Sequence, residues 1–352
     1  MSRAKKDFYA VDVMKLIMAL FVIVIHKPLF DTERCVFLNY ISGSVICGIA
    51  VPFFFVASGY FFFKKINRDN DDKSKLFKYE KRLFLLYFIW TVIYLPCIFV
   101  KYNTGHYDSL NIKLFLGQMY LTAKNFIFST SFVHFWYVNT LMVSVALIYF
   151  LYKKLGKNTV LGICLLITFA SYILLYSAKN GGVIGTVYNA IPSVLRNAFE
   201  KGLLCTAIGF YISKTDLSDK KSISVVLSVI SFAVMIALGV LKYQNENFVL
   251  DKILHLFKVL TSAFLFSLCL KIELPYSPVY GYLRKYSTLI YFSHLLMMSD
   301  LYAWISRNTG ITAFVDNEPL IYCITLAFAV CVSTLIIVLS KKEKLKFLRY
   351  LY

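Results

Sequence analysis

The chain has 352 residues, 59% of them hydrophobic, with a mean hydropathy of +0.66 and a formal charge of +19. A soluble globular chain is nearer half apolar, and here the excess falls in long uninterrupted runs, so the composition predicts an all-α, polytopic integral membrane protein and excludes a soluble fold. The basic excess then marks the cytoplasmic side of the bilayer rather than a nucleic-acid partner, and the eight cysteines, with no C-x-x-C pair among them, read as packed thiols with no metal site.

Ten apolar segments are predicted to cross the membrane, at about 9–29, 36–63, 83–100, 132–152, 158–177, 188–212, 222–241, 253–270, 287–305 and 320–340. The first is expected to be a retained helix, because no small-residue cleavage site follows it. It carries Asp12, Lys15 and His26 inside its apolar run. Each such group costs roughly 3 kcal/mol unless it is paired or wetted. Eleven residues at about 100° each bring Lys15 and His26 onto one helix face, about 16 Å apart. Asp12 lies one turn below Lys15 and is expected to neutralise it. A snorkelling Lys15 and a packed His26 are the ordinary alternative.

The second segment contains Pro52, which predicts a kink, and Ser58 and Gly59, which as small residues suit close helix packing. Counting inward from the two segment ends puts Ser58 and Lys15 at similar depth. The stretch 64–82 reads as the longest inside loop, and the third segment follows it from Lys81-Arg82. The outside loop 101–131 contains a candidate interfacial helix at 110–120. His134-Phe135-Trp136-Tyr137 opens the fourth segment near the depth of His26, where Trp and Tyr also serve as an ordinary aromatic belt. In the sixth, Arg196 and Glu200 are one turn apart and are expected to pair, with Asn197 and Lys201 beside them. His294 lies inside the ninth segment, after Tyr291. Neither His106 nor His255 is assigned a role.

With the N-terminus inside, 25 of the 38 Lys and Arg residues fall in inside segments and nine in outside ones. This split predicts that both termini are cytoplasmic and that the protein is a multi-pass protein of the cell membrane. No repeat and no appended soluble domain is expected, so residues 1–352 read as one domain. The polar residues define a track through the bundle. Lys15, Ser58, Lys81 and Arg82 line its inner end, Arg196, Asn197 and Glu200 its middle, and His26 and His134 its outer part.

These elements resemble the membrane-bound acyltransferase-3 family, whose members typically carry ten membrane helices. Lys15-x10-His26, preceded by Asp12, is similar to the first-helix motif, in which the basic residue is often Arg. Phe54-Phe55-Val56-Ala57-Ser58-Gly59-Tyr60 looks like the F-F-x-x-S-G-[FY] signature, and Lys81-Arg82 like the basic pair. His134-Phe135-Trp136-Tyr137, Arg196-Asn197-Ala198-Phe199 and Tyr291-Phe292-Ser293-His294 resemble three later elements, in the family's order.

The resemblance implies acyl transfer, most often of acetyl from acetyl-CoA, to a hydroxyl of a glycan or lipid-linked sugar at the outer face. It implies a catalytic set of His26, Lys15 and Asp12, with His26 as general base. A donor-binding set of Lys81, Arg82, Ser58 and Tyr60 follows, the basic pair attracting the CoA phosphates. An acceptor-binding set of His134, Trp136, Arg196, Asn197, Glu200 and His294 completes it, with Arg196 and Asn197 stabilising an oxyanion or orienting the acceptor. Lys15 cannot make the bidentate fork of an Arg, so a point-charge role is implied there. A polar track equally suits a transporter for a small polar solute such as serine, like the membrane half of vancomycin-resistance serine racemases. A non-catalytic scaffold is the third alternative.

Overall fold

The computed structural model describes residues 8–31, 33–103, 112–179, 181–215, 221–298, 309 and 317–352. All regular elements among these residues are helical. The first predicted segment is α1 (Tyr9–His26), ended by extended backbone at Lys27 just before Pro28. The second is α2 (Val36–Phe63). Within α2, Tyr40–Ile46 is a π turn and Cys47–Ile49 a 3-10 turn, and regular geometry begins at Ala50. This distortion lies just ahead of Pro52, whose ring lacks a donor for the turn before it. The Ser262 hydroxyl donates to the Ile49 carbonyl at 2.9 Å there.

The remaining helices are α3 (Lys73–Asn103), α4 (Ile112–Phe128), α5 (Trp136–Lys154), α6 (Lys157–Lys179) and α7 (Gly182–Ala190). They are followed by α8 (193–213), then α9 (Lys221–Gln244), α10 (Phe248–Lys271), α11 (Val279–Met298) and α12 (Glu318–Leu339). Helix α8 is regular at Ser193–Asn197 and Leu203–Ser213 and a π turn at Ala198–Gly202.

Seven helical stretches are long and apolar enough to cross a membrane: Tyr9–His26, Val36–Phe63, Phe115–Lys154, Lys157–Lys179, Lys221–Gln244, Phe248–Lys271 and Glu318–Leu339. Of the other three predicted segments, 83–100 lies within α3 and 188–212 is divided between α7 and α8. The third, 287–305, begins inside α11, and its residues 299–305 lie outside the described ones. Stretch 64–82 is not all loop, because α3 begins at Lys73 and carries Lys81-Arg82 two turns inside it. The outside stretch 101–131 does contain a helix, but it runs from Ile112 to Phe128 rather than over 110–120. Arg3, Lys5, Lys6 and His106 also lie outside the described residues.

Helix directions follow from paired contacts. Asp12 meets Arg284 and His26 meets His294, so α1 and α11 run parallel. Lys64 lies over Phe8 and Lys15 over Phe61, so α2 runs antiparallel to α1. Phe55 packs near Gly202 and Phe63 against Phe210, so α8 runs with α2. Tyr137 meets Ser58, and Lys153 at the other end donates to the Asn67 carbonyl, so α5 does too. Their close approach depends on glycine. A Cβ at Gly59 would collide with the Thr206 carbonyl, and one at Gly209 with the Val56 carbonyl.

The basic loops gather at the Phe8 end of the bundle. Lys214 donates to the Phe63 and Ile66 carbonyls, Arg68 to the Lys154 carbonyl, and Lys157 to the Lys214 carbonyl. A 3-10 segment, Glu343–Leu351, closes the same end against α3, where the Trp90 indole donates to the Leu351 carbonyl at 3.2 Å.

Candidate functional site

Three helical elements bring three imidazoles together. His26 is the last residue of α1, His134 sits in the 3-10 turn Val133–Phe135 leading into α5, and His294 projects from α11. The His26 and His294 ring centres are 5.3 Å apart, and those of His134 and His294 5.7 Å. His134 and His294 are buried, whereas His26 is exposed. The Tyr291 hydroxyl fixes the arrangement by donating to the His134 carbonyl at 2.6 Å, and the Tyr94 hydroxyl donates to the Phe292 carbonyl at 2.6 Å.

The nitrogens of this group are largely unspent. His294 Nδ1 faces the Ile290 carbonyl at 3.1 Å. A carbonyl only accepts, so Nδ1 carries the proton and Nε2 keeps its lone pair. That Nε2 and both ring nitrogens of His134 are buried without a hydrogen-bond partner among the described residues. Buried polar atoms are normally satisfied, at a penalty of about 1–3 kcal/mol when they are not. Three such nitrogens lie together here.

At the Phe8 end the charges are held differently. The expected Asp12–Lys15 pair is replaced: Asp12 accepts a fork from Arg284, Nε to Oδ1 at 2.9 Å and Nη2 to Oδ2 at 2.6 Å. Arg284 wins because α11 lies parallel to α1 and its planar guanidinium matches both carboxylate oxygens. Lys15 lies over the Phe61 ring, 4.7 Å from its centre, within the field of Asp12, Arg284 and Arg82. It thus meets α2 three residues beyond Ser58. The Ser58 and Tyr137 hydroxyls are 3.0 Å apart, and Tyr137 donates on to the Phe54 carbonyl. Tyr60 is buried, edge-on to Phe8 and Phe266. Arg82 donates to the Tyr352 carbonyl at 3.4 Å, and Lys81 is exposed one residue before it.

Aromatic clusters stand at both ends. Phe61 packs on Tyr60, and farther along Phe54 and Tyr137 pack on Tyr291, which touches both His134 and His294. The structure therefore unites His26, His134 and His294 at one end and Asp12, Lys15 and Arg82 near the other. It sets Arg196, Asn197 and Glu200 aside.

The expected Arg196–Glu200 pair is also replaced. The π turn at 198–202 shifts Glu200 out of simple one-turn register, and its Oε1 accepts instead from the Tyr188 hydroxyl at 2.7 Å. Arg196 stacks over the Tyr188 ring at 4.8 Å, with Nη1 reaching Asn189 at 3.5 Å, and Asn197 is half-buried beside it. Trp136 is the link to the histidines: it follows His134 by two residues and carries the Lys201 ammonium 5.1 Å over its ring.

Sequence reasoning missed Arg284, Tyr137 and Tyr188. For Arg284 a signal existed: it precedes His294 by nearly the interval that separates Lys15 from His26.

The family model for an acyltransferase domain matches residues 8–338, nearly the whole chain. Two amino-acid racemases of Enterococcus faecalis are similar to parts of it. One is 26% identical over 219 residues, 59% of this chain and 28% of the relative. The other is 24% identical over 148 residues, 42% of this chain and 20% of the relative. The chain thus spans under a third of the length of either. No solved structure matches.

Proposed function

The chain belongs to the acyltransferase-3 family, a family of membrane acyltransferases, and from that premise we propose that it moves acetyl from cytoplasmic acetyl-CoA to a hydroxyl of a cell-surface glycan or lipid-linked sugar. The observation that carries this reading is the group of three imidazoles with unspent nitrogens, at the opposite end of the bundle from the basic loops. We assign the basic end to the cytoplasm, with both termini inside. The gathering of Lys153, Lys157 and Lys214 with the Phe8 end supports that orientation. The alternating helix directions support ten crossings in the cell membrane.

In this mechanism His26, the exposed member, accepts the proton of the acceptor hydroxyl. The freed oxygen attacks the thioester carbonyl, the C–S bond breaks, and the imidazolium returns the proton to the departing CoA thiolate. His134 and His294 orient His26 and the acceptor. Asp12, held by Arg284, fixes the field around Lys15. Arg82 and Lys81 attract the CoA phosphates, and Ser58 with Tyr137 borders the path of the pantetheine arm. The reach from Lys15 to His26, about 16 Å, is that of an extended arm. Arg196, Asn197 and Glu200 serve the acceptor side, beyond Trp136.

Racemase activity belongs to the named relatives, and the short share of them that aligns gives a transport reading no further support. The test is incubation of the purified protein in lipid with labelled acetyl-CoA and cell-envelope fractions. Release of CoA with label entering envelope material is expected. Inert acetyl-CoA together with uptake of a small solute into vesicles would replace the enzyme reading by a transporter.

A further inference from the structure

Beyond Trp136, Arg196 and Glu200 belong to a larger charged group whose lysines the mechanism above does not use. Asp251 pairs with Lys242 across the α9–α10 junction and with Lys252 at 3.1 Å. Lys252 also lies 5.5 Å over the Tyr172 ring, and the Tyr172 hydroxyl donates to the Glu200 carbonyl at 3.0 Å. The ammonium of Lys201 feels both Glu200 and Lys252, and Lys258 feels Lys242 and Asp251. Arg196 enters through Tyr188, which it shares with Glu200. Five cations thus form one connected group around two carboxylates.

The excess of positive charge is not balanced internally. Glu200 gives Oε1 to a tyrosine, and Asp251 serves two lysines at once. Lys258 is eleven positions into α10, about 15 Å along it, and makes no ion pair with the described carboxylates. Its side chain runs across Gly48, where an added Cβ would stand 3.1 Å from it. A lysine at such depth costs roughly 3 kcal/mol unless a partner compensates it. Two further polar atoms are buried without a partner among the described residues: Arg196 Nε, and the hydroxyl of Tyr40, which lies within the field of Lys242 and Asp251. The group is at the His26 end, since Tyr243 packs on Phe37 and Tyr40 just after α1.

We propose that this basin binds a phosphate group of the acceptor and so holds the acceptor beside the histidines. An excess of three positive charges suits a multiply charged oxyanion better than a single carboxylate. Four of the five cations are lysines, point charges that can surround a phosphate from several sides without a fixed fork. Lys201 over Trp136 ties the basin to the element that carries His134. The inference rests on the acyl-transfer reading for the word acceptor, but binding itself is independent of it.

The test is equilibrium binding of inorganic pyrophosphate and of farnesyl pyrophosphate to the full chain in nanodiscs, with no acetyl-CoA present. Binding is expected for the wild type, weakened at least tenfold by Lys252→Gln with Lys258→Gln and retained when Lys252 and Lys258 are both replaced by Arg, which keeps the charge. Lys344→Gln with Lys346→Gln, an equal charge loss at the other end, leaves affinity unchanged. Tighter binding of the farnesyl form assigns the phosphate to a lipid carrier, and equal binding to a water-soluble sugar phosphate. Failure of both probes to bind, or equal affinity in a folded Lys252→Gln, Lys258→Gln protein, overturns the proposal. Loss of acetyl transfer with binding intact would overturn only the enzyme reading.

Discussion

The Phe8 end and the His26 end hold their ionisable groups differently, although Glu80 Oε1 at the Phe8 end is also buried without a partner among the described residues. At the Phe8 end, Asp12 is satisfied by Arg284, Arg82 by the Tyr352 carbonyl, and Lys153 and Lys214 by loop carbonyls. At the His26 end, His134 and His294 are more deeply buried yet leave three ring nitrogens unmatched. Satisfied charges hold a structure in place, whereas buried unsatisfied nitrogens keep a penalty that a bound reactant can relieve. Under the proposed function the Phe8 end positions and attracts, and the chemistry belongs with the histidines.

Substitution at the histidines should separate the two ends most sharply. His294→Ala is expected to lower kcat by about 10²-fold or more, with little change in the KM for acetyl-CoA. Arg82→Ala with Lys81→Ala should do the reverse, raising that KM by roughly tenfold per lost charged contact while kcat stays closer to wild type. Steady-state kinetics on protein of matched thermal stability reads both. Equal effects on kcat and KM from the two sets would erase the division.

Smaller effects probe what holds the ends. Asp12→Asn removes one partner of the Arg284 fork, whose guanidinium is 58% exposed, so water relieves much of the loss. A stability loss of about 1 kcal/mol is expected, with a larger fall in activity as Lys15 shifts. Arg284→Gln should cost more, about 2–3 kcal/mol, because it leaves the buried Asp12 carboxylate without its fork, and the double variant should cost less than the sum of the two. Gly209→Ala drives a methyl into the Val56 carbonyl and should destabilise the α2–α8 contact by about 1–3 kcal/mol, seen as a lowered Tm in detergent.

The weakest effect is expected outside the spans, between α2 and α3. The Lys75 ammonium at 2.6 Å and the Asn67 amide at 2.7 Å hold the Asp72 carboxyl below the usual carboxylate range. A carboxyl lowered in the folded state contributes stability above its unfolded pKa, near 4, and loses it as pH falls through the folded value. Asp72→Asn should therefore lower Tm slightly at pH 7, where the contribution is fully present, and flatten the fall of Tm below about pH 4, where the two proteins converge.

Much of this was legible in the chain. The eleven-residue interval returns Lys15 and His26 to nearly one azimuth of α1, and there Lys15 meets Phe61 of α2 and His26 meets His294 of α11. The nearness of His134 to that level followed from counting inward from an interface. Partners were not legible, because pairing depends on which helices become neighbours. Asp12 chose Arg284, 272 positions away, over Lys15 on its own helix. Glu200 chose Tyr188 because a π turn intervened, and a π turn leaves no mark in a hydropathy pattern. The early start of α3 was hidden by the charge of 73–82, which reads as loop although Lys, Glu and Arg are good helix formers.

The most direct measurement concerns His26. Inside-out membrane vesicles holding the wild type or His26→Gln would receive labelled acetyl-CoA, and label entering lumenal envelope glycan would be counted over time. The substitution keeps bulk and hydrogen bonding but cannot exchange a proton near neutral pH. The account predicts rapid labelling by the wild type and a loss of about 10²-fold or more in His26→Gln, with CoA binding intact. Labelling by His26→Gln at near the wild-type rate would contradict it.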